Sequence, residues 1–168
     1  NWIDEKKTPT LPGPHPFLKS KKTKILYSGN IGEKQDWENF IVFCKDTAFL
    51  KYEIIIVGDG SKKDWLLNEI KTMKHISYHP PIPYEELSSL LFSADLHVLF
   101  QRADLIDAVM PSKILGMMAS GKPSVVIGNI DSEVRQIFQR SNGGLFFTAY
   151  TAQVLATIGS LLKDSSKC

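Results

Sequence analysis

The stretch YEIIIVGDG, residues 52–60, sets four β-favouring aliphatic residues side by side, Ile54 to Val57, and stops them with Gly58 and Gly60. A strand with one wet face alternates apolar and polar residues. An unbroken apolar run is what a strand needs when both of its faces are covered, as in a parallel sheet between helices. Five further segments read as strands: KILYSG at 24–29, HISYH at 75–79, DLHVLF at 95–100, PSVVIG at 123–128 and GGLFFT at 143–148.

Helical spacing fills the intervals. Trp37, Phe40, Ile41, Cys44 and Ala48 share one face of EKQDWENFIVFCKDTA. KDWLLNEIKTM follows the second strand. In PYEELSSLLFSA, Leu87, Leu90, Leu91 and Ala94 fall together, with Glu85 and Glu86 in the first turn, where the helix dipole favours them. PSKILGMMA, DSEVRQIFQR (capped by Asp131) and AQVLATIGSLLK complete the set. Six strands alternating with helices predict a single doubly wound, Rossmann-like α/β domain over residues 24–168, with a six-stranded parallel sheet. Residues 1–23, with prolines at 9, 12, 14 and 16, read as an extended lead-in or interdomain linker.

With 20 basic and 18 acidic residues among 168, the net charge of +2 gives no support for a nucleic-acid binder. KSKKTK at 19–24 reads as a solvated segment before the first strand. Two cysteines, Cys44 on an apolar helical face and Cys168 at the end, make no disulfide framework and suit a reducing compartment. No apolar run is long enough for a membrane span, and no signal peptide is visible. The chain opens on Asn1, which reads as a piece cut from something longer.

In doubly wound folds ligands sit beyond the carboxyl ends of the strands, where the winding reverses. SGNIGEK follows the first strand. Its Gly29 and Gly32 let backbone approach a ligand, or simply make a turn, and Lys34 is expected to open the first helix. This is not the GxGxxG fingerprint. Gly58, Asp59 and Gly60 follow the second strand, as ligand contacts or as turn and cap. In VMPSKILGMMASGKP, Pro111 suits a first helical turn. Ser112, the free N–H groups of that turn and Lys113 together make an anion site. A capped helix with a solvated lysine fits the same residues. Two lysines and two helix starts meeting at one edge suit a diphosphate. The sequence holds no Asp-x-Asp or His/Cys cluster with metal-ligand spacing. His97 and His79 lie in or at the end of strands, His15 and His75 read as surface, and all four read as structural.

LYSGNIGEKQDWENFI, IIIVGDGSKKDWL, YHPPIPYEELSSLLFSADLHVLF and PSKILGMMASGKP resemble, in order and spacing, the nucleotide-sugar domain of group 1 (family 4) retaining glycosyltransferases. HVLFQRADLIDAVMPSKI is most similar to the branch acting in colanic-acid-type exopolysaccharide synthesis. The resemblance covers residues 1–163 and implies one half of a GT-B enzyme of hexosyltransferase type. It implies a UDP- or GDP-linked sugar as donor, no further cofactor and no metal. A glycan or lipid-linked acceptor would be held mainly by an absent N-terminal domain, leaving the isolated domain inactive. It places the parent in the cytoplasm, with peripheral association at the inner face of the membrane allowed.

The resemblance also distributes roles. Gly29 and Lys34 match positions that approach the donor diphosphate, with Lys34 and Lys113 as the catalytic cations. Gly58, Asp59 and Gly60 join the donor contacts, and Pro81 and Ile82 match the loop that holds the base. Ser112 and Lys113 match the phosphate-facing helix start. Asn30 stands where relatives carry arginine, and Gly116 where many carry a ribose-binding glutamate. Asp107 is the carboxylate nearest the partner glutamate's position and a candidate for a sugar hydroxyl. Two other readings compete: one half of a nucleotide-sugar 2-epimerase, and a non-catalytic module that binds a nucleotide or a protein partner.

Overall fold

A computed structural model describes residues 13–106 and 111–165. The strands are β1 (Lys24–Ser28), β2 (Glu53–Val57), β3 (Ile76–His79), β4 (Leu96–Phe100), β5 (Ser124–Ile127) and β6 (Leu145–Phe147). The helices are α1 (Trp37–Lys45), α2 (Lys63–Ile70), α3 (Leu87–Ser93), α4 (Pro111–Ala119), α5 (Glu133–Ser141) and α6 (Ala152–Ser165). All six strands are parallel, in the order β3-β2-β1-β4-β5-β6. The doubly wound sheet expected from the sequence is the one observed.

The apolar runs are buried as their lack of alternation requires. Ile54, Ile55, Ile56 and Val57 are all in the core, and so is every residue of β4. α1 packs on α2, while α3 packs on α4 and α4 on α5. With right-handed crossovers these are the two helical layers. Aromatic residues fill the space around α1: the Phe40 ring stands edge-on to Trp37 and Phe100, 5.5 Å and 5.4 Å between centroids.

Helix ends depart from the sequence reading. α1 stops at Lys45, and Asp46 then accepts from the Ala48 N–H in a separate 3-10 turn, so Ala48 is exposed and Phe49 takes the buried place. Glu85 and Glu86 belong to a 3-10 turn ahead of α3. The cap of α5 is Ser132, whose hydroxyl accepts from the Val134 N–H, and Asp131 lies outside the helix.

His15 is not a surface residue. It is 2% exposed. Its ring Nδ1 accepts from the Phe17 N–H, so the neutral ring carries its proton on Nε2, 3.1 Å from Glu86 Oε2. Leu18 beside it is buried with Leu26, Ile55 and Leu90, and Phe17 stacks on His79 at 3.8 Å. Residues 13–18 of the stretch read as a lead-in are therefore docked along α3.

The turns after β1 and β2 touch backbone to backbone. Gly58 has φ +154°, and a Cβ there would overlap the carbonyl oxygen of Gly29. Gly58→Ala should therefore cost more than about 3 kcal/mol in denaturant unfolding, with both strain and overlap to relieve. Gly121→Ala, at φ +66° with open space around it, should cost only about 1 kcal/mol.

Candidate functional site

The winding reverses between β1 and β4. These strands pair only at Ile25–Leu96 and Leu26–His97, whereas β1 and β2 stay in register over all five residues. Beyond Leu26, β1 stays with β2 and parts from β4, which is where doubly wound folds open a ligand crevice at the carboxyl ends. Its β1–β2 wall is laced by backbone bonds that continue the sheet. The Gly29 N–H donates to Val57 O (2.8 Å), Ile31 N–H to Asp59 O (2.8 Å) and Lys62 N–H to Ile31 O (2.9 Å). On the other side the loop after β1 crosses to β4, where Asp36 N–H donates to Phe100 O and Arg102 N–H to Lys34 O.

Lys113 reaches into this crevice from the first turn of α4. Its Nζ stands 4.4 Å from the centre of the Tyr27 ring and only 2.7 Å from where a Cβ on Gly29 would be. Glycine at 29 is required by its φ of +133°, and it leaves the space that the lysine end fills. Tyr27 is fixed in turn by its hydroxyl, which donates to Asn30 O at 2.7 Å. Lys113 forms no ion pair among the described residues. Burial pushes its ammonium down to about 7, because a charge lifted out of water without a carboxylate loses proton affinity. The Tyr27 ring returns part of that loss.

The other candidates divide. Ser112 is exposed at the start of α4. Lys34 is exposed too, but it does not open α1: the helix begins at Trp37, and the Asp36 carboxylate caps it by accepting from the Asn39 N–H at 3.1 Å. The N-terminus of α1 is already satisfied by its own chain. The expected pair of free helix starts therefore loses its α1 member.

Asn30 is exposed, its amide folded over Gly32. Asp59 accepts from the Gly60 N–H at 2.8 Å and pairs with Lys63 at 3.1 Å. That N–H first, and then the lysine, hold its carboxyl below the usual range. A Cβ on Gly60 would meet the Ile31 carbonyl. Gly58, Asp59 and Gly60 therefore build the turn. Pro81 is exposed, while Ile82 packs beside Leu18, Leu26 and Leu90. Gly116 brings α4 onto α3, with Leu91 Cδ1 3.3 Å from an added Cβ. Asp107 lies outside the described residues.

Sequence reasoning passed over Gln101. It follows β4 directly, is 2% exposed, and neither Oε1 nor Nε2 has a hydrogen-bond partner among the described residues. Its backbone N–H donates to Ile127 O, and Gly128 leaves the space its amide fills, 2.7 Å from an added Cβ. A glutamine ending an all-buried strand was the available signal, since loops normally start with polar residues in water. His97 is structural, as expected. Its Nε2 bonds Ser120 Oγ at 3.0 Å, and burial brings its pKa down to about 4. Among the described residues no three His, Cys, Asp or Glu side chains gather as a metal-ligand set.

Residues 14–168 match the family model for glycosyl transferases group 1. The chain is 33% identical over 128 residues to WcaI of Escherichia coli (strain K12), a protein assigned to colanic acid biosynthesis as a glycosyl transferase. The match takes in 75% of this chain and 31% of WcaI, so the chain spans about a third of that relative's length. Among solved structures, the lipopolysaccharide outer core galactosyltransferase WaaB superposes with a TM-score of 0.67 at 15% identity, over 94% of this chain and 44% of WaaB. Anabaena HepE, solved with UDP-glucose, gives 0.66 at 16% identity, over 88% of this chain and 40% of HepE. The sheet order, the crevice and the extent of the family match agree: this chain belongs to the group 1 glycosyltransferases.

Proposed function

We propose that the chain is the donor-binding half of a retaining, cytoplasmic hexosyltransferase that moves a sugar from a nucleotide diphosphate to a glycan or lipid-linked acceptor in polysaccharide biosynthesis. The observation that carries this reading is the Lys113 ammonium, without an ion pair among the described residues and lodged at the winding reversal against Gly29 and above Tyr27. A diphosphate entering the crevice would meet that charge, the Ser112 hydroxyl and the N–H groups of the first turn of α4. HepE was solved with UDP-glucose, which makes a UDP-linked hexose the first donor to try.

When the sugar–phosphate bond breaks, negative charge grows on the departing diphosphate. Lys113, fixed in place beforehand, stabilises that charge without reorganising, and Lys34 adds a second cation from the loop after β1. Gln101 offers one donor and one acceptor at the end of β4. An orphan buried amide costs about 1–3 kcal/mol, and a sugar or phosphate oxygen would repay it. On this reading the acceptor side of the cleft would come from a part of the enzyme that this chain does not span.

Lys113→Met should weaken UDP-glucose binding by about 10–100-fold, the worth of a charge-assisted phosphate contact. Calorimetry reads it directly, and equal affinity in the two proteins would remove Lys113 from the site.

The proton on Lys113 gives a second test. In the folded chain it is held less tightly than in the unfolded chain, so folding releases it above about pH 7, and stability should rise with pH from there towards the ordinary lysine range. Donor binding has the opposite sign, because the diphosphate favours the charged amine. Affinity should fall as pH climbs past about 7, with a proton taken up on binding. Calorimetric enthalpies that vary with buffer ionisation in the wild type and not in Lys113→Met would show that uptake.

Gln101→Leu should raise the melting temperature by a few degrees, about 1 kcal/mol of relieved desolvation, while lowering donor affinity. Lower stability with unchanged affinity would make Gln101 a packing residue.

A further inference from the structure

The near-zero net charge conceals a separation along the strands. The linkers that enter the strands, at the amino edge of the sheet, are basic. Lys19, Lys21 and Lys22 precede β1, Lys51 precedes β2, Lys71 and Lys74 precede β3, and Lys45 ends α1 above the same edge. All seven are exposed. The carboxylates in these linkers are engaged: Asp46 accepts from the Ala48 N–H, and Asp95 accepts from the Lys24 N–H at 2.7 Å. The linkers leaving the strands hold more acids than bases, with Glu33, Asp36, Asp59, Glu85, Glu86, Asp104 and Asp131 against Lys34, Lys62 and Arg102 among the described residues. Lys45 suits the end of a helix dipole, but Lys21 and Lys22 lead into a strand and have no such reason.

A recess of about 470 Å³ lies in the basic edge, lined by Lys22, Lys45, Lys74, Leu50 and Met73 among others. None of the three lysines forms an ion pair among the described residues. Leu50, between them, is 48% exposed. Cations around an apolar wall match an amphiphile better than a soluble polyanion, which would gain nothing from Leu50. Among the described residues no helix is long and apolar enough to cross a membrane, so contact at this edge would be made from outside.

We infer that the amino edge of the sheet is a docking face for an anionic phospholipid surface, with a headgroup phosphate between Lys22, Lys45 and Lys74 and the first methylenes against Leu50. The inference does not depend on the donor-site reading, since the crevice lies at the other end of the strands.

Vesicle co-sedimentation of the chain tests it. Vesicles with about one-third phosphatidylglycerol should retain the protein and pure phosphatidylcholine should not. The bound fraction should collapse between about 0.1 M and about 0.5 M salt, as screening predicts. The triple variant Lys22→Glu/Lys45→Glu/Lys74→Glu, its folding checked by thermal melting, should lose at least about tenfold in partitioning. Lys62→Glu, at the opposite edge, should change little. Leu50→Ser should weaken vesicle binding and leave binding to soluble polyphosphate alone. Absent phosphatidylglycerol binding, or full binding by the triple variant, overturns the proposal. Indifference to Leu50→Ser overturns the lipid assignment in favour of a general polyanion face.

Discussion

A parallel sheet covered on both faces must reverse its winding somewhere, and here it does so between β1 and β4. The two strands share only two paired positions before they part, and Gly29, Gln101 and Lys113 belong to the elements that meet where they separate. Gly29 follows one strand and Gln101 the other, while Lys113 reaches across from the first turn of α4. The crevice is thus the unavoidable seam of the fold, furnished with a charge.

That charge is expensive. A lysine drawn out of water without a carboxylate is normally selected against or neutralised, and the single compensation among the described groups is the face of Tyr27. A chain optimised only for folding would put methionine there. Gln101 tells the same story with a neutral group, two polar atoms shut away from water. Two such penalties on neighbouring elements, both at the seam, are readily understood as capacity held for a polar ligand.

The fold was legible wherever side-chain period carries the information. Ile54–Val57 announced a doubly covered strand, and Leu90, Leu91 and Ala94 announced the buried face of α3. Ends were not legible. Asp46 could have continued α1 or capped a new turn, and Asp131 and Ser132 are both good caps, so only packing separates them. His15 looked solvated because nothing local to a proline-rich stretch reveals Glu86, Ser93 and Phe17 closing around it. At the site, Ser112 and Lys113 could be read as a helix mouth from Pro111, but the reach of Lys113 to Tyr27 joins residues from two distant elements. Gly116 shows the reverse limit. Its departure from the family pattern was visible, and its use in seating α4 on Leu91 was not.

The backbone contact between the turns after β1 and β2 has a mechanical implication. Gly29 and Gly58 touch without side chains between them, and three main-chain bonds carry the pairing past the strand ends. Those turns can move only as a single slab. The seam therefore works as a vise with one jaw fixed, and any grip on a guest has to come from the α4 side.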